Sequence, residues 1–191
     1  MGIKSLFLTA LILVSSATQW SSVEAASGYS VNFPAASGQL DGYVNFSMMT
    51  IADKKAVRGD GIVYGLKAGE SYTYGIYNGK TPTKRTVDEH RRLTRRANGP
   101  ECPIGTLFDP ENRAALTGYK CDPLTYYKTC VSGDLSAKFR PWVGPSTTSK
   151  YYIEIEDVSL ALSGSTSIVD KYFVIKNSKG QIVACDQIHA V

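Results

Sequence analysis

The sequence predicts an all-β protein, an antiparallel sandwich or barrel of about seven to eight strands. Segments of alternating polar and apolar residues outnumber helical patterns, and turn signals separate them at short spacing. The 191 residues include 12 Tyr and 17 Gly, a composition that favours strands and turns over long helices. Hydrophobic residues make up 43% of the chain, which is enough for a packed core.

The N-terminus is typical of a secretory signal peptide. Lys4 provides the positive charge, an apolar run follows over residues 5–15, and the small residues Ala25 and Ala26 suit a signal peptidase. The run is too short to span a bilayer, although an N-terminal anchor is the alternative. We therefore expect a signal peptide over residues 1–25, one secreted domain over residues 26–191, and no membrane span in that domain.

The first half of the domain predicts three strands, over residues 39–49, 58–66 and 71–78. Turn signals follow the second strand at 67–70 and the third at Asn78-Gly79. The second half predicts a long cysteine-bearing connection and then four strands. Those four strands are expected over residues 135–142, 151–162, 168–175 and 181–188.

An exposed basic loop is predicted between the two halves, over residues 79–101, with one helical turn around residues 87–93. Such a loop can bind a polyanion, be cleaved at a dibasic site, or simply be soluble, and the sequence leaves these three open. Nucleic acid is not the expected partner. The cationic residues that define the patch are Lys84, Arg85, Arg91, Arg92, Arg95 and Arg96.

Two kinds of covalent modification are suggested by the sequence. The four cysteines, Cys102, Cys121, Cys130 and Cys185, can pair in three ways in an exported protein, and their spacing does not choose between them. Asn45-Phe46-Ser47 is a sequon, so Asn45 is either a glycosylation site or an ordinary strand residue.

The tyrosines are numerous enough to form an aromatic binding surface, although packing against a sheet is the commoner role of Tyr at alternating strand positions. The residues in question are Tyr72, Tyr74, Tyr77, Tyr126, Tyr127, Tyr151 and Tyr152.

Several short segments, taken in order, resemble copper/zinc superoxide dismutase. They are Gly-Ile-Val-Tyr-Gly-Leu-Lys-Ala-Gly at 61–69, the aromatic strand 72–79, Cys102 with Leu-Phe-Asp-Pro at 107–110, Val-Ser-Gly-Asp-Leu at 131–135, residues 154–169, and Val-Ala-Cys at 183–185. The resemblance implies a Greek-key β-sandwich or barrel with long disulfide-tied loops. It also implies a Cys102–Cys185 disulfide, and with it Cys121–Cys130. In loop pattern the chain is most similar to fungal copper-only surface superoxide dismutases.

The residues that hold copper in that family are replaced here. Members bind copper through four imidazoles, and the matching positions are Gly75, Tyr77, Leu107 and Lys176. The arginine that guides the anion in the family corresponds to Ile182.

No metal cofactor is therefore expected. Asp134 matches the family's zinc-binding aspartate but has no histidine partners, so a turn or helix-capping role is the alternative. The chain has two histidines, His90 and His189, and both are expected to be solvated at the surface.

We therefore expect a secreted, non-catalytic superoxide dismutase-like protein that acts as an extracellular interaction module or effector. Its partner would be an extracellular protein or a glycan. One alternative is an active or copper-binding extracellular superoxide dismutase with non-standard ligands. The other is a polyanion- or cell-wall-binding protein that uses the basic loop.

Overall fold

A computed structural model of the chain describes residues 28–33, 40–80, 102–147 and 150–191. These residues form two antiparallel sheets that face each other, as the sequence predicted. The predicted signal peptide and most of the basic loop, including His90 and all six cationic patch residues, lie outside the described residues. No helix within the described ranges is long and apolar enough to cross a membrane.

The first sheet has five strands in the order β10-β1-β2-β3-β7. The second has the order β5-β4-β8-β9, and β6 pairs with β4. Because β3 is followed by a strand of the other sheet and pairs with β7, the chain crosses between sheets in a Greek-key manner. The strands are β1 (Tyr29–Phe33), β2 (Asp41–Ile51), β3 (Lys54–Tyr64), β4 (Ser71–Gly79), β5 (Ile104–Leu107), β6 (Trp142–Val143), β7 (Lys150–Asp157), β8 (Tyr172–Lys176), β9 (Ile182–Gln187) and β10 (His189–Ala190).

The β2–β3 hairpin is longer than predicted, because both strands extend to a tight turn at Ala52-Asp53. Ala52 and Asp53 have φ angles of 45° and 64°, and Ile51 pairs with Lys54 across them. Two consecutive positive φ angles are the signature of a type I′ turn, which matches the twist of the strands it joins. Neither residue is the usual Asn or Gly, so the local sequence carries no clear turn signal at this point.

The core lies between the sheets and is built from the alternate residues of each strand that point inward. Phe173, with no exposed surface, has its ring centroid 6.0 Å from those of Phe33 and Phe46 and 6.2 Å from that of Tyr74. Trp142 of β6 stacks on Tyr74 with a centroid distance of 4.0 Å. Two tyrosines of β4, Tyr72 and Tyr74, are thus core residues, which agrees with the packing interpretation.

The two sheets form a sandwich that is not closed into a barrel. Along one side, the Asn32 amide donates to a carboxylate oxygen of Asp186 at 3.0 Å, and the Leu40 amide donates to the Val183 carbonyl at 3.3 Å. On the other side, the hydroxyl of Tyr126 lies 3.2 Å from the carbonyl of Glu156 at the end of β7 and donates to it.

Both implied disulfides are present. Cys102–Cys185 joins the start of the β5 segment to β9, with a Cα–Cα distance of 6.2 Å and a sequence separation of 83. Cys121–Cys130 closes a small ring, with a Cα–Cα distance of 4.3 Å and a separation of 9. Helix α1 (Tyr126–Thr129) lies inside that ring.

The largest correction concerns residues 135–142, which were predicted as a strand. They form helix α2 (Leu135–Phe139) and then β6. The Asp134 side chain accepts a hydrogen bond from the Ala137 amide at 3.0 Å and so caps the helix. Burial of Leu135, Ser136 and Lys138 then fixes it. Tertiary contacts therefore override the alternating pattern.

Smaller corrections concern the other strands. β1 was not predicted, β5 lies in the segment expected to be a connection, and β4 continues through Asn78-Gly79, where a turn was expected. β7 ends at Asp157 because this side chain folds back to accept from the Ser159 amide at 2.7 Å. β8 begins at Tyr172 because Asp170, with a φ of 62°, turns the chain just before it.

Candidate functional site

The four positions matched to copper ligands meet on the outer face of β4. Gly75 and Tyr77 share that face, since side chains two residues apart on a strand point the same way. Tyr77 pairs with Leu107 of β5. Lys176 of β8 pairs with Thr73, and Val174 pairs with Gly75. The resemblance therefore identified positions that the fold brings together.

Tyr77 and Lys176 contact each other across Gly75. The Lys176 ammonium donates to the Tyr77 hydroxyl at 2.8 Å, and its nitrogen lies 4.4 Å from the centroid of the same ring. Tyr77 Cε2 lies 3.6 Å from the place where a Cβ on Gly75 would be. The phenol and the ammonium thus close over the backbone of Gly75.

The backbone of Gly133 also lies against Gly75. A Cβ at Gly75 would lie 2.6 Å from the carbonyl oxygen of Gly133. That carbonyl is fixed because it accepts from the Ile76 amide at 2.8 Å, and the Gly133 amide donates to the Phe108 carbonyl at 2.7 Å. Residue 133 has no room for a side chain either, because a Cβ there would collide with the carbonyls of Ile76 and Phe108. Two glycines therefore allow two backbone segments to touch at the position that the resemblance matches to a copper-binding histidine.

Asp134 is placed as a helix cap. Its carboxylate accepts from the Ala137 amide, and Ser136, the second residue of the helix, bonds back to β4. The Ser136 hydroxyl donates to the Tyr74 carbonyl at 2.9 Å and accepts from the Tyr74 amide. These bonds hold α2 against the outer face of the sheet.

A small pocket remains between α2, β4, β5 and β8. It has a volume of about 240 Å³ and contains one cation and one carboxylate, Lys176 and Asp134, which form no ion pair with each other. Ile182 pairs with Lys176 in the sheet and does not line the pocket. The lining residues are Thr73, Tyr74, Tyr77, Leu107, Asp134, Ser136, Val174 and Lys176.

Sequence reasoning missed a buried ion pair beside this site. Lys138 of α2 lies 2.7 Å from Asp157 of β7, and neither side chain is exposed. The same ammonium donates to Ser159 Oγ at 2.8 Å and to the Ser132 carbonyl. Burial lowers the pKa of Lys138, and the Asp157 carboxylate acts against that shift. The sequence offers little to predict the pair beyond a lysine four residues after Asp134.

The remaining predicted residues lie apart from this site. Asn45 is exposed on the outer face of the other sheet, in β2. His189 is exposed in β10, with Nδ1 2.9 Å from the carbonyl oxygen of Gln187. Neither residue contributes to the pocket.

The solved structures with a similar fold include a superoxide dismutase and a clock protein. The copper(II) form of superoxide dismutase 5 from Candida albicans matches with a TM-score of 0.59 and 17% sequence identity, over 87% of this chain and 93% of that one. The chain has a superoxide dismutase-like fold. The clock protein EA4 matches this fold with a TM-score of 0.58 and 17% identity, over 87% and 96% of the two chains. Neither a family model nor a curated protein matches the sequence.

Copper does not fit the residues that this superoxide dismutase-like domain places at the matching positions. The side chains of Gly75 and Leu107 offer no atom that could ligate a metal. The ammonium of Lys176 has no free lone pair, and it donates a hydrogen bond to the Tyr77 hydroxyl. Redox copper sites use nitrogen or sulfur ligands with free lone pairs. Within the ranges that the structure describes, no three His, Cys, Asp or Glu side chains come together in a way that could hold a metal ion.

Proposed function

We propose that the chain is a secreted, non-catalytic superoxide dismutase-like protein that acts as an extracellular interaction module or effector. The observation that carries the proposal is the contact between Gly75 and the Gly133 carbonyl, because it leaves no space for any side chain at the position of a copper ligand. The Lys176–Tyr77 hydrogen bond occupies two more of the four positions.

Secretion is supported by the cysteines and by the N-terminal pattern. All four cysteines are paired, and disulfides persist mainly outside the cytosol. The signal peptide predicted over residues 1–25 would deliver the chain to an oxidising compartment.

The surface that we assign to partner binding is the disulfide loop, residues 109–131. Its conformation is held by the Cys121–Cys130 disulfide and by Arg113, whose guanidinium donates to the carbonyls of Cys130 at 2.7 Å and Tyr127 at 2.9 Å. At the start of the loop, the Asp109 carboxylate accepts from the Arg113 amide at 2.9 Å. The loop is therefore preorganised, which lowers the entropic cost of binding.

The same loop presents apolar side chains to solvent. Leu124 is 91% exposed and Leu116 is 63% exposed. Exposed apolar side chains that are rimmed by polar groups are a feature of protein interaction sites. An extracellular protein with a complementary apolar pocket is the partner that this surface fits best.

The absence of copper catalysis is tested by metal analysis together with superoxide consumption. The secreted chain, produced in copper-supplemented medium, is assayed beside a copper-loaded superoxide dismutase as the positive control. We expect far less than one copper per chain and no turnover above that of buffer. One tightly held copper per chain with enzyme-like turnover contradicts the proposal and favours the alternative with non-standard ligands.

The interaction surface is tested once a partner has been isolated with the secreted chain. The double variant Leu116→Ser/Leu124→Ser should weaken binding at least tenfold, and Tyr152→Ser on the far sheet should leave the Kd unchanged. If the double variant has the Kd of the parent chain and binding weakens steeply with added salt, a polyanion bound by the basic segment is favoured instead.

A further inference from the structure

The outer face of the first sheet carries an exposed apolar row across three adjacent strands. Tyr43 of β2 pairs with Ile62 of β3, and Ile62 pairs with Tyr152 of β7. Tyr43 is 38% exposed and Tyr152 is 70% exposed. Since neighbouring strands lie about 4.8 Å apart, the row extends over about 10 Å. Contiguous exposed apolar surface of this kind is one feature of sites that bind another group.

The next row along the strands is polar and contains Asn45. Asn45 pairs with Asp60, and Asp60 pairs with Glu154. Asn45 and Tyr43 are two residues apart on one strand, so their side chains share a face and stand about 7 Å from each other. The Asn45 side chain is exposed, and among the described residues it has no hydrogen-bond partner.

We propose that Asn45, the first residue of the Asn45-Phe46-Ser47 sequon, carries an N-linked glycan whose first sugars lie over Tyr43 and cover the row Tyr43–Ile62–Tyr152. The inference rests on the proposed function in one respect, since the modification requires passage through a secretory pathway. The apolar face of a pyranose ring stacks on an aromatic ring, and two such rings in sequence are comparable in length with the row.

Charge favours a glycan over a second copy of the chain as the group that covers this face. Asp60 and Glu154 stand beside the row, and within the described part of the sheet Arg58 is their ion-pair partner, at 3.9 Å and 3.5 Å. A protein surface placed on the row would desolvate these exposed carboxylates. Sugar hydroxyls are neutral and donate hydrogen bonds to carboxylates.

The test begins with the full chain secreted from a eukaryotic host. We expect the intact mass to fall when N-glycans are removed enzymatically, and peptide mapping to place the glycan on Asn45. Asn45→Gln and Ser47→Ala should each abolish the mass difference. A secreted chain with unmodified Asn45 overturns this proposal alone, whereas a retained chain with its leader attached overturns both this proposal and secretion.

The position of the sugars is tested by thermal unfolding of paired glycoforms. Deglycosylation should lower the Tm of the parent chain by about 2–4 °C, the shift that about 1 kcal/mol produces in a domain of this size. In Tyr43→Ser the two glycoforms should unfold at the same temperature. The control is Tyr119→Ser, a tyrosine of similar exposure on the disulfide loop, which should preserve the difference. An equal Tm loss in the parent chain and Tyr43→Ser, or a dimer of the glycosylated chain that Tyr152→Ser dissociates, overturns the proposal.

Discussion

Lys138 Nζ lies 2.7 Å from Asp157 Oδ2, and neither side chain has any exposed surface. The ammonium is fully coordinated, since the Ser159 hydroxyl and the Ser132 carbonyl also accept from it. A buried charge is tolerated only when it is paired in this way, so each member of the pair depends on the other. The contact fixes α2 to β7, and α2 in turn covers the outer face of β4.

Replacing one member of this pair should strongly destabilise the fold. Lys138→Met leaves the Asp157 carboxylate buried without a counter-charge, and we expect the free energy of unfolding to fall by about 3–5 kcal/mol in a denaturant titration. The matched control is Arg58→Met, because Arg58 forms exposed ion pairs with Asp60 and Glu154, which are worth about 0–1 kcal/mol. Similar losses in both variants would contradict this assignment.

A methyl group at Gly75 should be enough to disturb the cluster of Gly75, Tyr77, Leu107 and Lys176. Gly75→Ala places a Cβ 2.6 Å from the Gly133 carbonyl oxygen, so strand β4 or the 131–134 segment must move, and we expect a loss of about 1–3 kcal/mol. The control is Gly105→Ala in β5, whose Cβ would meet nothing closer than 3.4 Å. An unchanged unfolding midpoint for Gly75→Ala would show that the segment yields easily.

The two disulfides should differ in their contributions to stability. Cys102–Cys185 closes a span of 83 residues and Cys121–Cys130 a span of 9. From chain entropy, the double serine variants should lose about 4 kcal/mol and about 2–3 kcal/mol respectively. Denaturant unfolding under non-reducing conditions measures both losses. A larger loss from the short ring would mean that local structure in the loop outweighs chain entropy.

Alkaline pH should destabilise the fold through its buried tyrosines. Burial raises the pKa of Tyr74 well above its usual value of 10.0. Above about pH 10 the unfolded chain therefore loses a proton that the folded chain keeps, and stability falls as the pH rises. The fall in Tm between pH 9 and pH 11 should be smaller in Tyr74→Phe than in the parent chain.

Buried Lys138 also changes how stability depends on pH. The lowered pKa of buried Lys138 acts in the opposite direction, because the unfolded chain then holds the extra proton. The difference between Tyr74→Phe and the parent chain isolates the tyrosine. Tyr152→Phe, at a position 70% exposed, is the control for removing a phenol hydroxyl outside the core.

The residues of the candidate site were recognisable from the sequence because short segments around them keep their order. The resemblance placed Gly75, Tyr77, Leu107 and Lys176 in one cluster, and the structure brings them together on β4, β5 and β8. The resemblance does not predict that the backbone of Gly133 occupies the space beside Gly75. The close approach of Gly133 depends on a backbone contact between segments 58 residues apart in sequence, 133 − 75, and no local pattern encodes it.

The fold was predictable where alternation and turn chemistry agree, and unpredictable where tertiary contacts decide. Strand β4 follows its alternating tyrosines. Helix α2 has five residues, too few to be stable alone. It depends on the Asp134 cap and on the hydrogen bonds of Ser136 and Lys138 to distant strands. The Ala52-Asp53 turn was missed because residues other than Gly and Asn seldom adopt positive φ angles.

The Tyr126 hydroxyl has a consequence for the behaviour of the protein in reducing surroundings. It lies on the ring closed by Cys121–Cys130 and contacts the end of β7, the outermost strand of its sheet. We expect reduction of that small ring to loosen the loop that holds the tyrosine, and the unpaired backbone of an outermost strand is a template on which further chains can add. Reducing conditions should therefore increase the tendency of the protein to aggregate at the edge formed by β7.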